Sequence, residues 1–183
     1  MILGVASGDR PEEYPALNIN FENRGTNFRE SFTYIRKMAE TYPAFENSFG
    51  RSPGSIDMLP KPEYGQLPLL VTGAAQQNLN WIARNSDGWM TYPRNIDGQS
   101  RVLNNWHKKL AEEQLSAKPV MQPLYVDLVE DSAMPLQPIH LGFRTGVDAL
   151  CQYLKQLESI GINHVALNLR FNALDMDLSL IHI

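Results

Sequence analysis

Five short apolar runs punctuate the chain, at residues 2–6 (ILGVA), 68–72 (PLLVT), 88–91 (GWMT), 121–127 (MQPLYVD) and 164–169 (HVALNL). Each is too short for a helix and gives way to polar or glycine-containing residues, as strands of a buried parallel sheet do. Between them apolar residues recur three or four apart, the spacing of a helix with one buried face. Residues 27–38 place Phe28, Phe32, Ile35 and Met38 in this way. Residues 76–83 do so with Leu79, Ile82 and Ala83, and residues 100–110 with Val102, Leu103, Trp106 and Leu110. Residues 147–160 carry Leu150, Cys151, Leu154 and Leu157, and Gly161 then marks the helix end.

The order of elements is βαβαβαβαβ, which predicts an α/β fold with a parallel sheet in one domain. Residues 2–6 read as a central strand, so both of their edges are expected to be paired. Two segments without periodicity, 43–66 and 131–145, read as irregular insertions that could serve as lids or binding loops.

Composition narrows the possibilities only by exclusion. With 43% apolar and 20% charged residues, the 183-residue chain resembles an ordinary globular protein. A net charge of −4 with no basic run argues against a nucleic-acid partner. The single cysteine, Cys151, excludes an internal disulfide framework. No apolar stretch approaches a membrane span and no leader pattern opens the chain, so the expected location is the cytoplasm.

Parallel α/β proteins bind ligands where strands end, and five stretches qualify. At Thr72-Gly73-Ala74-Ala75-Gln76-Gln77 a strand is expected to run directly into a helix, which would offer free N–H groups and a favourable dipole to a phosphate. The alternative is that a tight turn simply needs small residues. Ser7 and Gly8 end the first strand, and the adjacent Asp9 and Arg10 could do no more than bridge each other. Arg94, Asp127 to Glu130, Asn168 and Arg170 sit at the later strand ends, where the arginines could hold an anionic ligand or pair with acidic neighbours. His107 falls on a solvated helix face, His164 at a strand start and His140 in a loop with nothing nearby to commit it. Cys151 reads as a small core residue. No set of residues has metal-ligand spacing.

Three of these stretches together resemble the luciferase-like family of flavin-dependent oxidoreductases: LGVASGDRPEEYPA, PLLVTGAAQQNLNWIARNSDGWMTYPR and GFRTGVDALCQYLKQLESIGINHVALNLRF. The likeness runs from Ile2 to about Phe171. It implies a partial (βα)8 TIM barrel in residues 1–177, with residues 2–6 as the fourth strand and 164–169 as the eighth. It also implies FMN, or alternatively a deazaflavin, with Ser7, Gly8 and Thr72 to Gln77 holding the flavin phosphate and Arg94, Asn168 and Arg170 at the mouth. The function implied is oxidation of an organic substrate with reduced FMN and oxygen, with a homodimer possible. The family's catalytic histidine belongs to earlier strands, so none is assigned here. Alternatives are a flavin-binding protein without activity and a complete five-stranded flavodoxin-like domain. Residues 178–183 (LSLIHI) match what a transposon end used in sequencing libraries encodes, and they carry no functional weight.

Overall fold

A computed structural model describes residues 1–174; the 178–183 tail, with His182, lies outside the described residues. The chain forms two compact units, Met1–Asp87 and a second that begins at Gly88.

The first unit opens with β1 (Leu3–Val5), continues through three short 3-10 turns into α1 (Arg24–Met38), and reaches β4 (Leu69–Thr72) and α2 (Leu79–Asn85). An antiparallel hairpin of β2 (Ala44–Asn47) and β3 (Gly50–Pro53) interrupts it. Strand β1 lies parallel to β4, with Leu3 opposite Leu69 and Val5 opposite Val71. Parallel neighbours need a long crossover, and α1 with the hairpin supplies it. Leu69, Leu70 and Val71 are buried, as a strand covered on both faces requires. Phe28 and Phe32 turn from α1 onto Trp81 of α2, with ring centroids 5.9 and 5.3 Å apart. Asp87 fastens the unit: its Oδ2 accepts from the Leu69 N–H at 2.7 Å and from Arg36, whose Nη1 donates to the Leu67 carbonyl at 2.8 Å.

The second unit is built around β6 (Val120–Leu128). Strand β5 (Gly88–Met90) pairs with it in parallel, as do β9 (His164–Asn168) along Met121 to Tyr125 and β8 (Gly142–Thr145) along Tyr125 to Leu128. Strand β7 (Gln137–Ile139) runs antiparallel to β8. A Cβ at Gly142 would stand 1.8 Å from the Tyr125 carbonyl oxygen, so only glycine lets β8 approach β6 there. Helices α3 (Ile96–Glu112) and α4 (Val147–Ser159) complete the core with Leu103, Trp106 and Leu110, and with Leu150, Tyr153 and Leu157.

The five strands and four helices expected from periodicity are all present, and the α/β class with parallel pairing holds. Four details differ. Both insertions contain hairpins, which short strands with a proline and little apolar alternation conceal. Helix α2 starts at Leu79, because Asn78 caps it by accepting from the Trp81 N–H. Cys151 is exposed, since the buried stripe of α4 is Leu150, Tyr153 and Leu157, one residue aside from it. Strand β1 is half-buried, and among the described residues its ladder partner is β4 alone. None of the helices among the described residues is long and apolar enough to cross a membrane.

Candidate functional site

Because β1 and β4 are parallel and in register at Val5 and Val71, the loops that follow them leave the sheet side by side. The first unit therefore brings together Ser7 and Gly8 with the turn from Thr72 to Gln77. Both loops have backbones that are held rather than loose. Gly8 adopts φ +79°, and a Cβ there would meet Tyr14 Oη at 2.8 Å. The Tyr14 hydroxyl donates to the Ser7 carbonyl in a short hydrogen bond. Beyond β4, Gly73 sits at φ 60°, and Ala75 and Gln76 follow at 45° and 59°. Left-handed backbone is natural for glycine but strained for alanine and glutamine.

This turn is braced from α1. Gln77 Nε2 donates to the Gly25 carbonyl at 2.8 Å and to the Ala75 carbonyl at 3.1 Å. A Cβ at Gly25 would lie 3.0 Å from Gln76 Cβ, so the glycine at the head of α1 admits the turn. The segment expected to open a helix is thus instead a turn, with strained Ala75 and Gln76 four and three residues ahead of α2, which itself spans only seven residues. Successive N–H groups in such a turn can still form an anion-binding concavity.

Beside Ser7 and Gly8 lies a cavity of about 480 Å³, walled by Val5, Tyr14, Arg24, Phe28 and Phe32 among others. Arg24 is fixed there: its guanidinium lies 3.8 Å from the Phe21 ring centre, and Nη1 donates to the Phe21 carbonyl at 3.0 Å. Phe21 in turn meets Tyr14 edge-on at 5.0 Å. Arg24 Nε is buried without a hydrogen-bond partner. Tyr14 and Arg24 escaped sequence reasoning because only the fold carries them back to the end of β1. The bridge considered between Asp9 and Arg10 is replaced by one from Arg10 to Glu13 at 2.9 Å.

The remaining candidates belong to the second unit. Arg94 follows β5 and is exposed; its Nη1 donates to the Tyr92 carbonyl at 2.8 Å and to Gln99 Oε1 at 3.3 Å. Asn168 ends β9, and its Oδ1 accepts from the Arg170 N–H at 2.9 Å. The Arg170 guanidinium stands 5.8 Å from the Phe171 ring centre. Asp127, buried near the end of β6, accepts from the Ala173 N–H at 3.1 Å and lies 3.4 Å from Arg144. His140 comes within 6.2 Å of the Tyr125 ring but stays exposed.

Comparison with known proteins gives this geometry a family context. A family model described as luciferase-like monooxygenase matches residues 1–135. An uncharacterised protein of Mycobacterium tuberculosis is 49% identical over 97 residues, covering 52% of this chain and 34% of its own length. A second uncharacterised protein of that organism is 31% identical over 118 residues, covering 64% and 40%. The chain thus spans about a third to two fifths of these relatives. Among solved structures, the monooxygenase RslO1 from Streptomyces bottropensis superposes with a TM-score of 0.61 at 21% identity, over 72% of this chain and 42% of that one. An F420-dependent secondary alcohol dehydrogenase, solved with an F420-acetone adduct, superposes at 0.67 and 12% identity, over 91% and 63%.

Proposed function

The chain belongs to the luciferase-like monooxygenase family, and from that premise we propose that it forms part of a flavin- or deazaflavin-dependent oxidoreductase. In this reading β1, β4, β5, β6 and β9 correspond to the fourth to eighth strands of a (βα)8 barrel. The residues that act on the substrate then belong to strands outside this segment. The cofactor, when bound, supplies the redox chemistry, as it does wherever a protein recruits one. This segment's task is to bind and orient it.

One observation carries the proposal: the pair of non-glycine residues in left-handed backbone, Ala75 and Gln76, at the end of β4 beside Ser7 and Gly8. Strain of this kind persists where the surroundings enforce it, and it clusters at ligand sites. A turn with φ positive at Gly73, Ala75 and Gln76 suits the approach of a phosphate to backbone. FMN and F420 both carry a phosphate at the end of the ribityl chain on the flavin-type ring, so the same turn would serve either. FMN with oxygen is the reading for a monooxygenase. The F420-dependent neighbour of the same fold supports deazaflavin as the second reading.

The test is equilibrium binding of FMN, riboflavin and F420 to the wild-type protein and to Gly73→Ala and Gly73→Glu. The alanine variant measures the effect of losing a left-handed glycine; the glutamate adds charge and bulk at the phosphate. FMN affinity should fall at least tenfold further in Gly73→Glu than in Gly73→Ala, while riboflavin, which lacks the phosphate, changes little. Equal losses for FMN and riboflavin would refute a phosphate site at this turn.

A further inference from the structure

Arg94 is exposed, yet side chains among the most deeply buried in the second unit determine its position. Gln99 of α3, 0% exposed, accepts from Arg94 Nη1 through Oε1 and donates through Nε2 to Thr91 Oγ1 at 2.5 Å. The Arg94 carbonyl accepts from Tyr153 Oη at 3.2 Å. That hydroxyl, on α4 and 2% exposed, accepts in turn from Nε2 of the fully buried Gln122 of β6 at 3.4 Å. Residues from β6, α3 and α4 thus converge on a single arginine.

Burying an amide or hydroxyl is unfavourable unless its hydrogen bonds are made. Methionine at 99 or phenylalanine at 153 would fill the same volume without that requirement. The loop does not need them to close, because Asn95 already caps α3 by accepting from the Gly98 N–H at 2.8 Å. What the polar residues add is a fixed carbonyl and a fixed guanidinium just beyond β5, at the sheet end where α/β proteins take ligands. No carboxylate among the described residues forms an ion pair with Arg94. A planar fork held in one orientation matches an oxyanion, and fixing it beforehand lowers the entropy lost on binding.

We propose that Arg94 anchors an oxyanion on the ligand, phosphate or carboxylate, and that Gln99 and Tyr153 are positioning residues that hold it. The proposal stands on the second unit alone and does not require the flavin reading of the turn after β4.

The arginine Nε–Hε signals of the whole chain, followed by NMR, provide the test. Inorganic phosphate and acetate are titrated separately, with chloride balancing ionic strength, and Arg94→Gln assigns the signal. At least one anion should shift the Arg94 signal saturably. Gln99→Met and Tyr153→Phe should each weaken that response about tenfold and increase the mobility of the Arg94 side chain, with the remaining backbone spectrum retained. Tyr153→Phe removes one oxygen, so it keeps the test decisive if Gln99→Met folds poorly. A stronger response to phosphate, displaced by FMN and not by riboflavin, identifies a flavin phosphate. A stronger response to acetate identifies an acidic substrate. No saturable shift with either anion would overturn the proposal, as would wild-type affinity in both variants.

Discussion

Gly8 is constrained twice, and the two constraints can be separated. Its φ of +79° disfavours any side chain, and the Tyr14 hydroxyl occupies the place of a Cβ. Gly8→Ala should therefore cost about 1–3 kcal/mol in denaturant unfolding, the range for strained backbone. Measured against Tyr14→Phe alone, which has already lost the Ser7 hydrogen bond, Gly8→Ala meets no steric conflict but keeps the backbone penalty, so only part of its cost should be recovered. Full recovery would mean that sterics alone impose the glycine. Tyr153 offers a second test at this scale. Burial raises its pKa, opposed by the Gln122 hydrogen bond. In the unfolded chain a tyrosine ionises near pH 10. Below that pH its contribution is complete; above it the unfolded state releases the proton first, and stability falls as pH rises through the folded value. Wild type should thus lose stability above about pH 10 more steeply than Tyr153→Phe, measured as urea midpoints across pH 8 to 11.

Among the elements, β4 depends on a clamp that lies outside it. Asp87 receives the Leu69 N–H and Arg36, and Leu69 is fully buried. Asp87→Ala leaves a buried N–H unpaired and frees the arginine that ties α1 to the segment before β4. Stability should fall by about 2–3 kcal/mol, because an orphaned buried donor carries its full desolvation penalty. Arg36→Met, which removes the cation but leaves Asp87 on Leu69, should cost clearly less. Such elements were legible in the sequence wherever burial enforces a period: β4 as an unbroken apolar run, α3 through Leu103, Trp106 and Leu110. They were illegible where a few hydrogen bonds decide. Asn78 delays α2 to Leu79, and the hairpin of Gln137–Ile139 with Gly142–Thr145 buries Gly142 and Thr145 without any apolar alternation to announce it. The candidate site divides in the same way. Strand ends pointed to Ser7, Gly8, the turn after β4 and Arg94, whereas Tyr14 and Gln99 reach them through the local path of the chain after each strand, and Tyr153 only through tertiary folding.

For the molecule as a whole, the exposed apolar surface near β1 has consequences of its own. Among the described residues β1 pairs with β4 on one side, and Ile2 and Leu17 nearby are 66% and 70% exposed. An unpaired strand edge offers a row of N–H and C=O groups to another chain, and apolar flanks add to the attraction. The chain should therefore self-associate as its concentration rises, seen in light scattering as a mass that grows beyond the monomer. Ile2→Lys places on that edge the kind of charge that natural edge strands use against such pairing. It should restore a monomer over the same range without lowering the melting temperature, since Ile2 is largely exposed and little burial is lost. An effect of salt separates the two contributions: screening the lysine charge at about 1 M, where the Debye length is near 3 Å, should partly restore association. A wild-type chain that stays monomeric at high concentration would show that the β1 edge is already protected within the folded protein.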